Sequence, residues 1–227
     1  MMAGVLYEVV HSVLPPLARA VWRPTVEGLD HVPSSGPVIL ASNHLSFVDS
    51  VVIPCIVPRK VVFLAKSDYF TGSGIKGAAQ RMWFEGIGML PIDREDNRAA
   101  LASLDTALEV LRRGDAFGIY PEGTRSRDGR IYRGRTGVGH LALTAGCPVV
   151  PVGLTGTQDI QPVGSNRLRL DADVTVRFGP PIDCTGRFEG LPPARARRAV
   201  TDEIMAAVTA LSGQEPAGVY HDRPAEA

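Results

Sequence analysis

Five short apolar runs punctuate this chain: PVILAS (37–42), VVFLA (61–65), AFGIY (116–120), PVVPVG (148–153) and the alternating DVTVRF (173–178). Runs of this length, bounded by turn residues, read as strands. Helical patterns lie between them, and this alternation leaves few architectures. Parallel strands need long crossover connections, and crossover helices cover both faces of the sheet they connect. The expectation is an α/β fold, a single domain with a largely parallel central sheet flanked by helices. A chain of 227 residues, 44% of them hydrophobic, can bury the core of one such domain.

The clearest helix is DNRAALASLDTALEVLRRG. Leu101, Leu104, Leu108 and Leu111 form an apolar stripe, Asp96 or Asn97 can cap the start, and Gly114 suits the stop. GVGHLALTAG is a shorter helix. PARARRAVTDEIMAAVTALSG is the last, with Val200, Ile204, Val208 and Leu211 on one face. The expected organisation is an amphipathic N-terminal segment (1–24), the folded domain (25–212) and a flexible polar tail (213–227).

Charge and cysteines narrow the function. Lys+Arg 24 balance Asp+Glu 24, which argues against bulk nucleic-acid binding but leaves room for local phosphate sites. Cys55, Cys147 and Cys184 are odd in number and widely spaced, so neither a disulfide framework nor zinc-ligand spacing is present. The N-terminus is apolar but interrupted by Glu8, His11, Pro15, Pro16 and Arg19. That excludes an uninterrupted spanning run of about 18 residues. Val5, Val9, Val13 and Leu17 recur at helical spacing. From the pattern alone, this segment fits equally a helix packed on the body or one lying on a bilayer.

In open α/β sheets, functional residues gather in loops at the carboxyl ends of strands. Two stretches fall there. The first, NHLSFVDS (43–50), sets His44 five residues before Asp49. In a strand the two would face opposite sides, and in a helix they would lie roughly 140° apart. Only a bend joins them. With Ser46 as an N-cap, the following DSVVIPCIV can begin a helix and supply that bend. Asp49 would then fix the imidazole tautomer and His44 could take a proton. The competing reading is an ordinary capping turn, Ser46-x-x-Asp49, with an unrelated histidine.

The second stretch, YPEGTRS (120–126), follows a strand. Gly123 permits close approach, Thr124 and Ser126 carry hydroxyls, and Arg125 offers a fork suited to phosphate. Backbone N–H groups of such a turn can also hold an oxyanion. The plain alternative is a surface turn with a Glu122–Arg125 ion pair. Arg94, Lys66, Arg133 and Arg135 are further cations in loops, each of which could equally be a solvated charge.

The combination is more specific than its parts. Asn43-His44-x4-Asp49, then Gly88 to Arg94, then Pro121-Glu122-Gly123-Thr124-Arg125-Ser126, then Val149-Val150-Pro151-Val152 resembles the glycerolipid acyltransferase family. That family includes the bacterial 1-acylglycerol-3-phosphate acyltransferases. Its four characteristic blocks appear in order across residues 37–153. Tyr120 stands where Phe is usual, and Arg135 stands where a lysine is common.

The resemblance implies an enzyme of phospholipid biosynthesis. It would move a fatty acyl group from acyl-CoA or acyl-carrier protein to the sn-2 hydroxyl of 1-acylglycerol-3-phosphate, giving phosphatidic acid. No cofactor or metal is implied beyond the acyl donor. His44 is the implied general base, oriented by Asp49. Asn43, Lys66, Arg94, Glu122, Gly123, Thr124, Arg125, Ser126 and Arg135 are the implied substrate-binding residues. The implied partners are membrane lipids and the acyl donor. The implied location is the cytoplasmic face of the cell membrane, peripheral or monotopic, which favours the bilayer reading of the N-terminus with Trp22 and Arg23 at its end. Alternatives are a family member acting on another lysophospholipid or lipid hydroxyl, and a non-catalytic lipid-binding membrane protein.

Two other enzyme classes fit poorly. GSGIKG (72–77) matches a dinucleotide-binding glycine pattern, but the preceding strand ends seven residues earlier, so the tight strand–glycine–helix turn is missing. A thiol enzyme built on Cys147 and His140 lacks any neighbour that would depress the thiol pKa.

Overall fold

The computed structural model describes Pro16 and residues 19–92, 97–165 and 167–221. The strands are β1 (Thr25–Glu27), β2 (Val38–Ser42), β3 (Val61–Lys66), β4 (Met89–Ile92), β5 (Ala116–Ile119), β6 (Val149–Thr155) and β7 (Thr175–Phe178). The helices are α1 (Asp49–Ile56), α2 (Gly74–Gly86), α3 (Asn97–Arg112), α4 (Gly137–Ala145), α5 (Thr157–Ile160) and α6 (Pro193–Ser212). The strands form one sheet in the order β1-β7-β6-β2-β5-β3-β4. The run from β6 to β4 is parallel throughout, and β7 pairs antiparallel to β6 with β1 parallel to β7 at the edge. The expected single α/β domain with a largely parallel sheet is therefore what forms.

Period-two alternation within each strand divides the core in two. Val38 and Leu40 of β2 belong to a layer that also holds Val52 and Ile53 of α1 and Phe84 of α2. Ile39 and Ala41 face the other layer, with Leu108 and Leu111 of α3, Leu141 of α4 and Val200, Ile204 and Val208 of α6. Every residue of β2 is buried. This is why PVILAS reads as a continuous apolar run, whereas β7, half-buried at alternate positions, reads as DVTVRF.

Some expectations need correction. Leu101 does not join the α3 stripe; it is 64% exposed, and Ala107 and Val110 complete the buried face. Asp96 lies outside the described residues, as does the Asn97 side chain. Residues 213–221 do not trail away. Ile131 N–H donates to Glu215 O (3.0 Å) and Ala217 N–H to Ile131 O (2.8 Å). Arg133 N–H donates to Val219 O (2.9 Å), so this part of the expected tail is bonded to the body. The amphipathic segment expected before residue 25 lies outside the described residues, apart from Pro16 and its last turn. There Trp22 is half-buried and its indole N–H donates to Arg169 O (2.9 Å), so it docks on protein. Among the described residues, no helix is long and apolar enough to cross a membrane.

Candidate active site

β2 ends at Ser42 and α1 starts at Asp49, so the six residues between them make the turn that the His44–Asp49 spacing requires. One carboxylate oxygen builds it. Asp49 Oδ2 accepts from Leu45 N–H (2.7 Å), from Ser46 N–H (2.9 Å) and from His44 Nδ1 (2.8 Å). The bend expected from the spacing therefore forms and pairs the two residues, so the histidine is not unrelated, and the carboxylate that holds the imidazole also closes the turn. Ser46 does not play its expected part. The N-cap is Val48, without a side-chain cap, and Ser46 Oγ donates to Gln161 O (2.7 Å).

Asp49 is fully buried and its Oδ1 has no hydrogen-bond partner, while the His44 side chain is 16% exposed. A buried carboxylate beside a nearly buried ring favours the imidazolium once a proton arrives, because the opposite charge is already in place. The Asp49 bond also makes Nδ1 the protonated nitrogen of the neutral ring, which assigns proton transfer to Nε2.

The ring is held from its face as well. Tyr120 stacks on His44 with centroids 3.8 Å apart and planes 8° from parallel. Ser50 Oγ lies 2.9 Å from the Tyr120 hydroxyl, and Phe63 stacks on the Tyr120 ring at 5.3 Å. Burial, and then the nearby Asp49 charge, push the Tyr120 pKa well above its ordinary value, so the phenol stays neutral. Sequence reasoning gave Tyr120 and Ser50 no role; the signal was the tyrosine at the first position of YPEGTRS.

Three of the residues expected at the substrate site position the bend. Asn43 is fully buried, and its amide bridges the backbone of β6, donating to Leu154 O (2.9 Å) and accepting from Leu154 N–H (2.7 Å). It also donates to Gln214 Oε1 (2.8 Å). Glu122 is 1% exposed. Its carboxylate accepts from His44 N–H (3.1 Å) and Tyr132 N–H (2.8 Å) and makes no ion pair with Arg125. Burial pushes the Glu122 pKa up to about 7, against the lowering effect of those two N–H donors. Ser126 is buried; its N–H donates to His44 O (2.8 Å) and its hydroxyl to Asp128 Oδ1 (3.2 Å). The backbone of His44 is thus clamped at both polar atoms by the turn after β5.

That turn reverses at Gly123, whose φ of 82° lies in the left-handed region that a side chain resists. A Cβ there would also stand 3.2 Å from Arg135 Nε. The Gly123 N–H donates to Tyr120 O (3.0 Å), so it is already used inside the turn. Among the described residues, no hydrogen bond engages Thr124 or Arg125, both half-buried, which leaves their N–H groups able to donate.

Arg135 reaches the rim of the turn, where its N–H donates to Pro121 O (2.8 Å) and its guanidinium to His221 O (3.2 Å). Lys66, at the end of β3, pairs with Asp68 at 2.7 Å. β5 separates it from β2, which puts it roughly 10 Å away by strand spacing. Arg94 lies outside the described residues.

All three cysteines are buried thiols, and burial pushes Cys55 and Cys147 up to about 11, which disfavours the thiolate at either. Among the described residues, no group of three or more His, Cys, Asp or Glu gathers to hold a metal.

Comparison with known proteins places this geometry. Residues 23–155, which contain both the His–Asp bend and the turn after β5, match the family model described as Acyltransferase. The chain belongs to the acyltransferase family. It is similar to the 1-acyl-sn-glycerol-3-phosphate acyltransferase BAT2, chloroplastic, of Brassica napus, with 33% identity over 162 residues, 71% of this chain and 45% of that protein. The 1-acyl-sn-glycerol-3-phosphate acyltransferase alpha of Mus musculus is 30% identical over 175 residues, 77% of this chain and 60% of the mouse protein. The chain thus spans about half the length of the curated relatives it matches. The crystal structure of the 1-acyl-sn-glycerophosphate acyltransferase PlsC from Thermotoga maritima superposes with a TM-score of 0.65 at 22% identity. That match covers 90% of this chain and 82% of the other, and it shows that this acyltransferase shares the same fold.

Proposed function

We propose that this acyltransferase moves a fatty acyl group from acyl-CoA or acyl-carrier protein to the sn-2 hydroxyl of 1-acylglycerol-3-phosphate, forming phosphatidic acid. The observation that carries the reading is the buried Asp49 carboxylate on His44 Nδ1 at 2.8 Å, with the bend locked by four further contacts to the backbone of Leu45, Ser46 and both polar atoms of His44. Its work is to hold one basic nitrogen, Nε2, in a fixed place.

In the proposed reaction Nε2 takes the proton of the acceptor hydroxyl as its oxygen attacks the thioester carbonyl. Asp49 orients the ring and stabilises the imidazolium that forms. The tetrahedral intermediate collapses with cleavage of the C–S bond, and the departing thiolate recovers the proton from Nε2. Direct transfer needs no acyl-enzyme and no resident cofactor, in keeping with three buried thiols. The N–H groups of Thr124 and Arg125 are the proposed oxyanion donors, a role worth roughly 3–4 kcal/mol where one such donor has been removed.

Arg125 is the first candidate for the acceptor phosphate, with Thr124 beside it and Arg135, Lys66 and Arg94 as outer cations. Asn43, Glu122 and Ser126 act at one remove, through the His44 backbone. The substrates are membrane lipids, and we place the enzyme on the cytoplasmic face of the membrane as a peripheral or monotopic protein, with residues 1–24 as one anchor.

The test is thiol release from acyl-CoA by the purified chain with a panel of lysophospholipids, with products identified by mass spectrometry. The proposal expects phosphatidic acid from 1-acylglycerol-3-phosphate. A preference for an uncharged acceptor would refute the phosphate assignment, and binding without turnover would make the protein a lipid binder.

A further inference from the structure

α6 ends against the sheet at one defined point. A Cβ on Gly153 of β6 would stand 2.5 Å from the Leu211 backbone, so only glycine lets the last turn of the helix lie directly on that strand. Gly213 then stops the helix in the left-handed region, at a φ of 67°. The next residue, Gln214, arrives beside Asn43, whose amide is bonded to Leu154, one residue along β6 from Gly153.

Gln214 joins two loops that are far apart in sequence. Its Oε1 accepts from Asn43 Nδ2 (2.8 Å), and its Nε2 donates to Gly129 O (2.8 Å). Asn43 immediately precedes His44, and Gly129 follows Ser126 in the loop after β5. One side chain thus ties the loop that carries the base to the loop that carries the proposed oxyanion and phosphate groups. It also takes the second hydrogen of the buried Asn43 amide, the first going to Leu154 O. Without Gln214 that hydrogen would have no protein acceptor, a cost that loosens Asn43.

The backbone after Gln214 makes a second tie. Ile131 N–H donates to Glu215 O, Ala217 N–H to Ile131 O, and Arg133 N–H to Val219 O. Between Ile131 and Arg133, Tyr132 sends its N–H the other way, to Glu122 Oε2, and Glu122 Oε1 accepts from His44 N–H. This is the alternation of a strand bonded along both edges, with residues 215–219 on one side and Glu122 on the other. The Tyr132 and His221 rings close the far end with centroids 4.2 Å apart. Both routes, through Gln214 to Asn43 and through Tyr132 to Glu122, end at the Asn43–His44 peptide.

We infer that Gln214 is a positioning residue for His44, and that residues 214–219 form a strap holding the bend and the turn after β5 at a fixed separation. The inference rests on the acyl-transfer reading, in which Nε2 and the turn must serve one tetrahedral centre. A misplacement of about 1 Å between such groups can cost roughly 10²-fold in rate. The strap's bonds to the two loops go to Asn43, Gly129, Ile131 and Arg133, not to the imidazole or to the Thr124 and Arg125 N–H groups. Loosening it should therefore slow turnover and leave substrate binding largely intact.

The experiment uses the full chain with Gln214→Ala, a change at a half-buried side chain beyond the last helix. With acyl-CoA and 1-acylglycerol-3-phosphate, kcat should fall about ten-fold while KM for each substrate stays within about two-fold. The readout that a merely structural contact would not move is coupling to Asn43. In an Asn43→Ala background, Gln214→Ala should cost no more than about two-fold further. Backbone hydrogen exchange, which needs no turnover, should rise several-fold at residues 43–46 and 129–133 of Gln214→Ala and stay unchanged in α3.

A kcat for Gln214→Ala within about two-fold of the wild type would overturn the inference. So would its full loss reappearing on top of Asn43→Ala, which would make Gln214 an ordinary structural contact. Should Asn43→Ala fail to fold, unchanged exchange at 43–46 in Gln214→Ala would overturn the strap and raised exchange would sustain it. A wild-type chain without turnover on any acceptor would sink the acyl-transfer reading, while the exchange result would still decide the strap, so the two failures are separable.

Discussion

Replacing Asp49 with Asn separates the structural work of that carboxylate from its electrostatic work. Oδ2 accepts three hydrogen bonds, from His44 Nδ1, Leu45 N–H and Ser46 N–H, while Oδ1 is buried without a partner. An asparagine can place its carbonyl oxygen where Oδ2 sits and keep all three bonds, with its amide nitrogen in the place of the orphaned Oδ1. The turn should therefore survive, and the melting temperature should change by only a few degrees, because one unpartnered buried polar atom replaces another and a buried charge is removed. The tautomer should survive too. What is lost is the negative charge 2.8 Å from the ring that must become an imidazolium. General-base catalysis is worth roughly 10²–10⁴ in rate, and most of that depends on the charge that steadies the protonated base. The expected outcome is a folded variant slower by roughly 10³, or about 4 kcal/mol in the barrier. Initial rates of thiol release give the first quantity and thermal unfolding followed by circular dichroism the second. A folded variant that keeps a tenth of the wild-type rate would refute the electrostatic role. A variant that fails to fold would mean that the carboxylate serves the turn far more than the imidazole.

Substitutions at three further positions test the surroundings of His44. Tyr120→Phe keeps the stack and loses only the contact with Ser50, so turnover should stay within a few-fold; Tyr120→Leu removes the 3.8 Å ring contact and should cost roughly ten-fold, with a shifted pH–rate profile. Equal effects of the two would deny the stack its role. Glu122 has a folded pKa of about 7 against an ordinary 4.5, so its favourable contribution is full below 4.5 and is lost as pH rises to about 7. Over that window urea titrations should show the wild type losing up to about 3 kcal/mol relative to Glu122→Gln, and a pH-independent difference would contradict the buried acid. Arg125→Ala should raise KM for the phosphorylated acceptor by roughly ten-fold with kcat nearly kept, and an unchanged KM would remove Arg125 from the phosphate site.

Much of the fold was legible because burial and periodicity coincide. β2, β3, β5 and β6 are covered on both faces and appear as continuous apolar runs. α6 buries the face marked by Val200, Ile204 and Val208. β4 escapes the pattern because MLPI has four residues and an internal proline. α2 was hidden by Gly74, Gly77 and Gly86 and by the apolar residues on its outer face, which blur the periodicity that identifies a helix.

At the site, the His–Asp pair could be read because spacing alone demanded a bend. The roles of Asn43 and Glu122 could not. Both are polar residues in loops, and only the packing of β6 and of the Tyr132 backbone against them reveals that their atoms are bonded inward. The stack of Tyr120 on His44 joins positions 76 apart in sequence, and no local pattern reports such a contact.

The central claim is that Nε2 of His44 removes the acceptor proton. Its most direct test is turnover by His44→Ala with acyl-CoA and 1-acylglycerol-3-phosphate, with acceptor binding followed by calorimetry on the same preparation. The account predicts near-complete loss of thiol release with acceptor affinity kept. Undiminished release by the folded variant would contradict it.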